Sequence, residues 1–145
     1  MRMYTISVIS ERHQALCHHL CDVAERCLEQ LQVQPCVLEL EMCDDNRFVA
    51  LNVQLRGRDE LEDLMPIRYD HHHAAMGRIV INLAQVKRDV MMTDTPLTDY
   101  LDGLLVHGLL HVLGYDHMER TEGFAWENLQ NNLLSLVPSA NVSLD

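Results

Sequence analysis

Long apolar runs are missing from this chain of 145 residues. Nowhere do about 20 uninterrupted apolar residues occur, the length a membrane helix needs, so no membrane partner is expected. Cys-x-x-Cys pairs are missing too. The five cysteines, at 17, 21, 27, 36 and 43, are odd in number, which argues against a disulfide framework and against a thiolate zinc site. Basic residues are scarce, with 11 Lys and Arg against 22 Asp and Glu, a net charge of −11. Such a balance opposes general affinity for polyanions. The first ten residues hold no long apolar region and run straight into Glu11-Arg12-His13, so no signal peptide is read there and a cytoplasmic protein is expected. Repeats and linkers are absent as well. With 48% apolar residues, the chain reads as one domain, 1–145, able to bury a real core.

What is present is concentrated in Val106-His107-Gly108-Leu109-Leu110-His111-Val112-Leu113-Gly114-Tyr115-Asp116-His117. Residues four apart on a helix stack on one face, so His107 and His111 can bind one metal ion. Gly114 should end the helix, because glycine takes the left-handed conformation cheaply. The chain can then double back and bring His117 in as a third ligand. Three protein ligands leave a fourth position open, the catalytic pattern for zinc. This spacing resembles that of the metzincin peptidases, with one difference. Their general base follows the first histidine directly, and that position here is Gly108. Asp116 is the nearest carboxylate in sequence, able to serve as a base or to orient a ligand histidine.

Hydrophobic periodicity orders the rest. Met3 to Ile9 reads as a strand and Glu11 to Val33 as an amphipathic helix. The helix core face is Cys17, Leu20, Cys21, Ala24, Cys27, Leu28 and Leu31, with His18 and His19 assigned to the surface. Cys36 to Cys43 alternates as a half-buried strand. Asp44 to Asn46 can cap a short helix from Arg47 to Leu55, closed by Arg56 and Gly57. Glu60 to Tyr69 contains Pro66, which cannot donate a ladder hydrogen bond, so a strand there is short or at an edge. Asp70 to His73 reads as a polar loop, Gly77 to Leu83 as a strand and Ala84 to Val90 as a short helix. Thr95 as N-cap and Pro96 at the first helical position open the histidine helix. Its core stripe is Leu97, Leu101, Leu104, Leu105, Gly108 and Val112, where Gly108 allows close packing on the sheet. Glu119 to Leu136 is a closing helix, with Phe124, Trp126, Leu129, Leu133 and Leu134 as anchors. The class implied is α+β: a small mixed sheet of about four strands, packed helices, and a metal site on a core helix and its following turn.

Charge is unevenly spread. From Arg47 to Arg88, seven basic residues face five acidic ones, so this window is locally basic at +2. It could hold an anion in one cleft, or be an ordinary solvated face. Arg56 stands out within it. A planar, permanently charged guanidinium matches phosphate oxygens, and at a helix C-terminus a cation also suits the dipole.

His-Gly-x-Leu-His-x-x-Gly-Tyr-Asp-His between His107 and His117 resembles the signature of the bacterial YbeY endoribonucleases, which act in rRNA maturation. The likeness extends to Leu51-Asn52, to Arg56-Gly57-Arg58-Asp59 and to the segment Gly77 to Leu83. It implies that His107, His111 and His117 bind Zn2+, or another divalent metal. It also implies that Arg56 faces the cleft and holds the scissile phosphate. Single-stranded RNA, rRNA and the small ribosomal subunit become the implied partners, with no DNA, and 16S rRNA maturation and ribosome quality control the implied role. Departures lie in the groove. The family's Thr-Asp-Val-Leu-Ser-Phe is Glu62-Asp63-Leu64-Met65-Pro66-Ile67 here, and Arg78 stands where an aspartate is usual. Two rivals stand beside the ribonuclease: a ribosome assembly factor stabilised by zinc, favoured by the altered groove, and a metallopeptidase, disfavoured by Gly108.

Overall fold

The computed structural model describes residues 3–115 and 120–137, with backbone alone over 120–126. Alternating side chains divide its sheet into two unlike faces. The strands are β1 (Tyr4–Val8), β2 (Cys36–Cys43), β3 (Leu64–Arg68) and β4 (Gly77–Asn82), in the order β1-β2-β4-β3. β1, β2 and β4 run parallel, whereas β3 is antiparallel to β4 and lies at the edge. Pro66 therefore sits on an edge strand of five residues, where its missing N–H is tolerated.

On one face, Leu38, Leu40 and Met42 of β2 join Ile79 and Ile81 of β4 in the main core. The core is completed by α1 (Gln14–Gln30), α3 (Leu83–Met91), α4 (Leu97–Val112) and α5 (Arg120–Leu134). The other face carries a smaller cluster in which Phe48 and Leu51 of α2 (Asp45–Arg56) cover Met65 and Val80. Beyond α2 this face is polar, with Arg78 bound to Glu39 and Glu41 at 3.0 and 2.7 Å. The expected α+β class with a four-stranded mixed sheet is the fold observed. Among the described residues no helix is long and apolar enough to cross a membrane.

Several boundaries differ from the sequence reading for local reasons. α1 begins at Gln14 and not Glu11, because Ser10 is tied to the Met42 backbone and His13 takes a left-handed φ of 60°. It ends at Gln30, where Gln32 adopts φ 55° and the Gln32 and Val33 N–H groups bond back to Glu29 and Leu28. Pro96, not Thr95, is the N-cap of α4. Its extended ψ of 146° precedes the first helical residue, and no side chain caps the helix. Of the three cap candidates Asp44 to Asn46, Asp44 caps α2, accepting from the Arg47 N–H at 3.0 Å, so the helix begins at Asp45 and not Arg47.

His19 departs from its assignment to the surface. Its Nε2 lies 2.8 Å from Asp102 of α4, which binds α1 to the histidine helix, while His18 is exposed. Burial pushes the Cys27 thiol up to about 11, with the Asp102 charge adding to the shift. That is the behaviour of small apolar residues, not of reactive thiols.

Candidate functional site

Buried residues surround most of the circumference of α4, including Leu101, Leu105, Val106, Leu109, Leu110 and Val112. A helix apolar on nearly all sides belongs inside, and α4 packs against β3, β4, α1, α3 and α5. It stops at Gly114, with φ 91°. The Gly114 N–H bonds to His111 O at 3.0 Å and the Tyr115 N–H to Leu110 O at 2.9 Å, the double closure of a Schellman turn. The glycine stop is thus formed.

One flank of α4 stays open. A cleft of about 680 Å³ runs between it and the edge strand, lined by His107, His111, Leu64, Pro66, Arg68 and Arg56 among others. Alternation on β3 explains the lining, because Leu64, Pro66 and Arg68 point one way while Met65 packs under α2.

His107 and His111 meet in this cleft with their Nε2 atoms 3.2 Å apart and their ring centroids 4.8 Å apart. Tetrahedral zinc with bonds of about 2.0–2.1 Å would separate two imidazole nitrogens by about 3.3 Å. The pair therefore fits such an ion. Gln130 of α5 supports the fit, since its Oε1 lies 3.3 Å from His107 Nδ1. A proton held on Nδ1 by that carbonyl leaves the Nε2 lone pair facing the cleft. Asp116 and His117 lie outside the described residues, and among the described residues no group of three His, Cys, Asp or Glu side chains is placed to hold a metal.

Gly108 faces away from the cleft. A Cβ there would lie 3.1 Å from Leu64 Cδ1 and 3.2 Å from Ile79 Cγ2, so the close packing on the sheet is real. A glutamate at this position would enter the core and could not serve the cleft.

Arg56 lines the cleft from the C-terminal end of α2, where Gly57 turns the chain with φ 69°. Asn52 holds the following loop by donating from Nδ2 to Glu60 O at 3.1 Å. Glu62, where the resemblance places a threonine, takes Arg56 Nη1 at 3.2 Å in a partly exposed pair. Other cations of the basic window are tied down elsewhere: Arg47 to Glu41, Arg78 to Glu39 and Glu41, and Arg88 to Asp45. The local excess of basic residues is thus mostly neutralised on the sheet and helix surfaces.

Near Arg56 the cleft is acidic. The Tyr100 hydroxyl lies 3.1 Å from Asp63 Oδ2 and 3.3 Å from Asp89 Oδ2, and a single O–H can serve only one carboxylate at a time. Burial pushes the Asp63 carboxyl above the usual range. The Tyr100 hydrogen bond opposes that shift and the Asp89 carboxyl reinforces it. A carboxyl whose pKa is raised by folding stabilises fully below its unfolded pKa, and that contribution is lost as pH rises through the folded value. Asp63→Asn keeps an acceptor for Tyr100 without the charge. Its melting temperature is expected to exceed that of the wild type by about 2–4 °C at pH 8 and to match it near pH 4. Calorimetry at the two pH values checks this, and equal gains at both would show that ionisation of Asp63 is not the cause.

Sequence reasoning missed Gln130, Tyr100 and Arg68. Gln130 and Arg68 come from α5 and β3, and no local spacing links them to the histidines; Tyr100 lies on the face of α4 that carries Leu104, His107 and His111, a helical spacing that could have found it.

The chain has clear relatives. The family profile described as Endoribonuclease YbeY matches residues 4–137. A protein of Persephonella marina named Endoribonuclease YbeY is 31% identical over 106 residues, covering 70% of this chain and 69% of that protein. A namesake from Rhizobium meliloti is 29% identical over 133 residues, 84% of this chain and 79% of the other. In three dimensions, a Thermotoga maritima protein solved in solution superposes with a TM-score of 0.70 at 19% identity. That superposition covers 92% of this chain and 88% of the other, a likeness of fold. With a profile match that begins in β1 and ends just after α5, this chain belongs to the YbeY endoribonuclease family.

Proposed function

We propose that this protein is a zinc-dependent endoribonuclease that hydrolyses phosphodiester bonds in single-stranded RNA, with His107, His111 and His117 as metal ligands. The observation that carries the reading is the 3.2 Å approach of two imidazole Nε2 atoms inside an open cleft beside Arg56. The chemistry an ion supplies when bound there is Lewis acidity, which makes water a better nucleophile near neutral pH and withdraws charge from a phosphoryl oxygen. The chain's own residues do the rest. Gln130 holds His107 in the tautomer whose Nε2 is a lone-pair donor. Arg56 meets the phosphate with a fork of N–H donors, exchanging the Glu62 carboxylate for phosphate oxygens. That exchange is cheap, because a partly exposed ion pair contributes little. Asp116, adjacent to His117, takes the role of base or of orienting partner. The cellular setting proposed is the cytoplasm, with rRNA of the small ribosomal subunit as substrate, in 16S maturation and ribosome quality control.

The test is cleavage of a labelled single-stranded RNA by zinc-loaded protein beside identically purified His111→Ala. Cleavage by the wild type alone supports the reading, and equal activity in both preparations sinks it. Gln130→Leu tests the support of the site. Removing a partner that orients a metal-binding imidazole lowers affinity by about 10–100-fold. A competition titration against a chromophoric chelator should show this loss with an unchanged melting temperature. Unchanged affinity would remove Gln130 from the site.

A second reading has one specific observation behind it. Glu62 neutralises the cleft arginine, as a ribosome assembly factor with little cleavage activity would allow. Ribosome binding that survives Arg56→Ala, with no RNA cleavage by the wild type, would favour it.

A further inference from the structure

We infer that Arg68 is a second phosphate-binding residue of the cleft, and that it sets the side of the histidine pair on which the RNA strand lies. The inference rests on the ribonuclease reading and deepens it. From Tyr100 to Val112 the cleft follows α4 for 12 residues, about 18 Å at 1.5 Å per residue, with the histidines in its second half. Its two ends differ in charge. Beside Tyr100 stand Asp63 and Asp89, and Glu62 pairs with Arg56 on the same wall. That end repels phosphates on either side of the one Arg56 can hold. Beside Gly114 stands Arg68, the last residue of β3.

Arg68 is built into the site. A Cβ on residue 114 would lie 2.8 Å from its Nη1, so the guanidinium rests directly on the glycine turn that ends the histidine helix. That turn is three residues past His111, about 4.5 Å along the axis. No carboxylate pairs with Arg68 among the described residues, in contrast to Arg47, Arg56, Arg78 and Arg88. An exposed guanidinium with no acceptor among the described residues, one turn from the histidine pair, matches a phosphate next to the scissile one. The rival role is purely structural, a cation at the C-terminal end of a helix dipole.

Salt dependence separates the two. Each phosphate contact to a single strand contributes about −0.7 to the slope of log affinity against log salt. The probe is a fluorescein-labelled single-stranded 2′-O-methyl RNA, read by anisotropy between about 50 and 200 mM salt. Arg68→Ala should bind about tenfold more weakly at low salt, with a slope shallower by about 0.7. Arg68→Lys should keep the slope. A lower melting temperature for Arg68→Ala, with wild-type affinity and slope, would show the structural role and overturn the assignment. Wild-type protein that does not bind the RNA would overturn the ribonuclease reading, and this assignment with it.

Discussion

His111→Ala is expected to lower RNA cleavage by at least about 1000-fold, a loss of ~4 kcal/mol in transition-state stabilisation. Bound zinc is expected to fall from near one ion per chain to a small fraction. The physical reason is the geometry of the pair. The Nε2 atoms of His107 and His111 are held 3.2 Å apart by one helical turn of a buried helix, so the proposed ligand atoms already converge. Removing either imidazole from the proposed three-ligand site leaves two protein donors, one fewer than a catalytic zinc site uses to hold its ion. The fold should not suffer. The His111 side chain lines the cleft and is only half-buried, while Leu109, Leu110 and Val112 around it carry the packing. Metal content by mass spectrometry, cleavage of a labelled single strand and thermal unfolding, measured on one preparation, decide the matter. Full metal occupancy in the variant would refute the ligand assignment. Loss of activity with a collapsed melting temperature would place His111 in the core instead.

The second large effect is on stability. Gly108→Glu would restore the residue that zinc peptidases place after their first histidine, and from the sequence alone that looks like a gain of catalytic power. The opposite is expected. Residue 108 faces the sheet, with Leu64 and Ile79 little more than 3 Å from where a Cβ would sit. A glutamate there must either bury an unpaired carboxylate or force β3 away from α4. Burying an uncompensated charge costs about 3–5 kcal/mol, and domains of this size are stable by only about 5–15 kcal/mol. Chemical denaturation should show a midpoint lowered accordingly, with no peptidase activity appearing. Because β3 forms one wall of the cleft, RNA cleavage should fall as well. A stable variant that hydrolyses peptides would mean that residue 108 faces the cleft after all.

Much of this protein was legible in the linear sequence, for reasons of short range. Helix and strand periods placed β2 at Cys36–Cys43 as read, and Asp44 and Gly57 bounded α2 through a side-chain cap and a left-handed turn. The i, i+4 histidines had to share a face, and Gly114 had to end their helix, because both follow from backbone geometry over a few residues. The absent glutamate at 108 was read as a packing requirement, and Leu64 and Ile79 supply that packing.

What the sequence could not show were meetings between segments far apart in the chain. The basic window suggested an anion site, yet Glu41 lies beneath both Arg47 and Arg78, and Asp45 reaches Arg88 across 43 positions. His19 looked like a surface residue until Asp102 of α4 came within 2.8 Å. Gln130 reaches His107 from 23 residues away, and Arg68 reaches the glycine turn only because β3 is the antiparallel edge strand. Local periodicity determined the helices, the strands and the histidine pair of this chain. Which charges are neutralised, and which side chains reach the cleft, was decided by tertiary packing, because side-chain interactions depend on distances in space that sequence spacing does not contain.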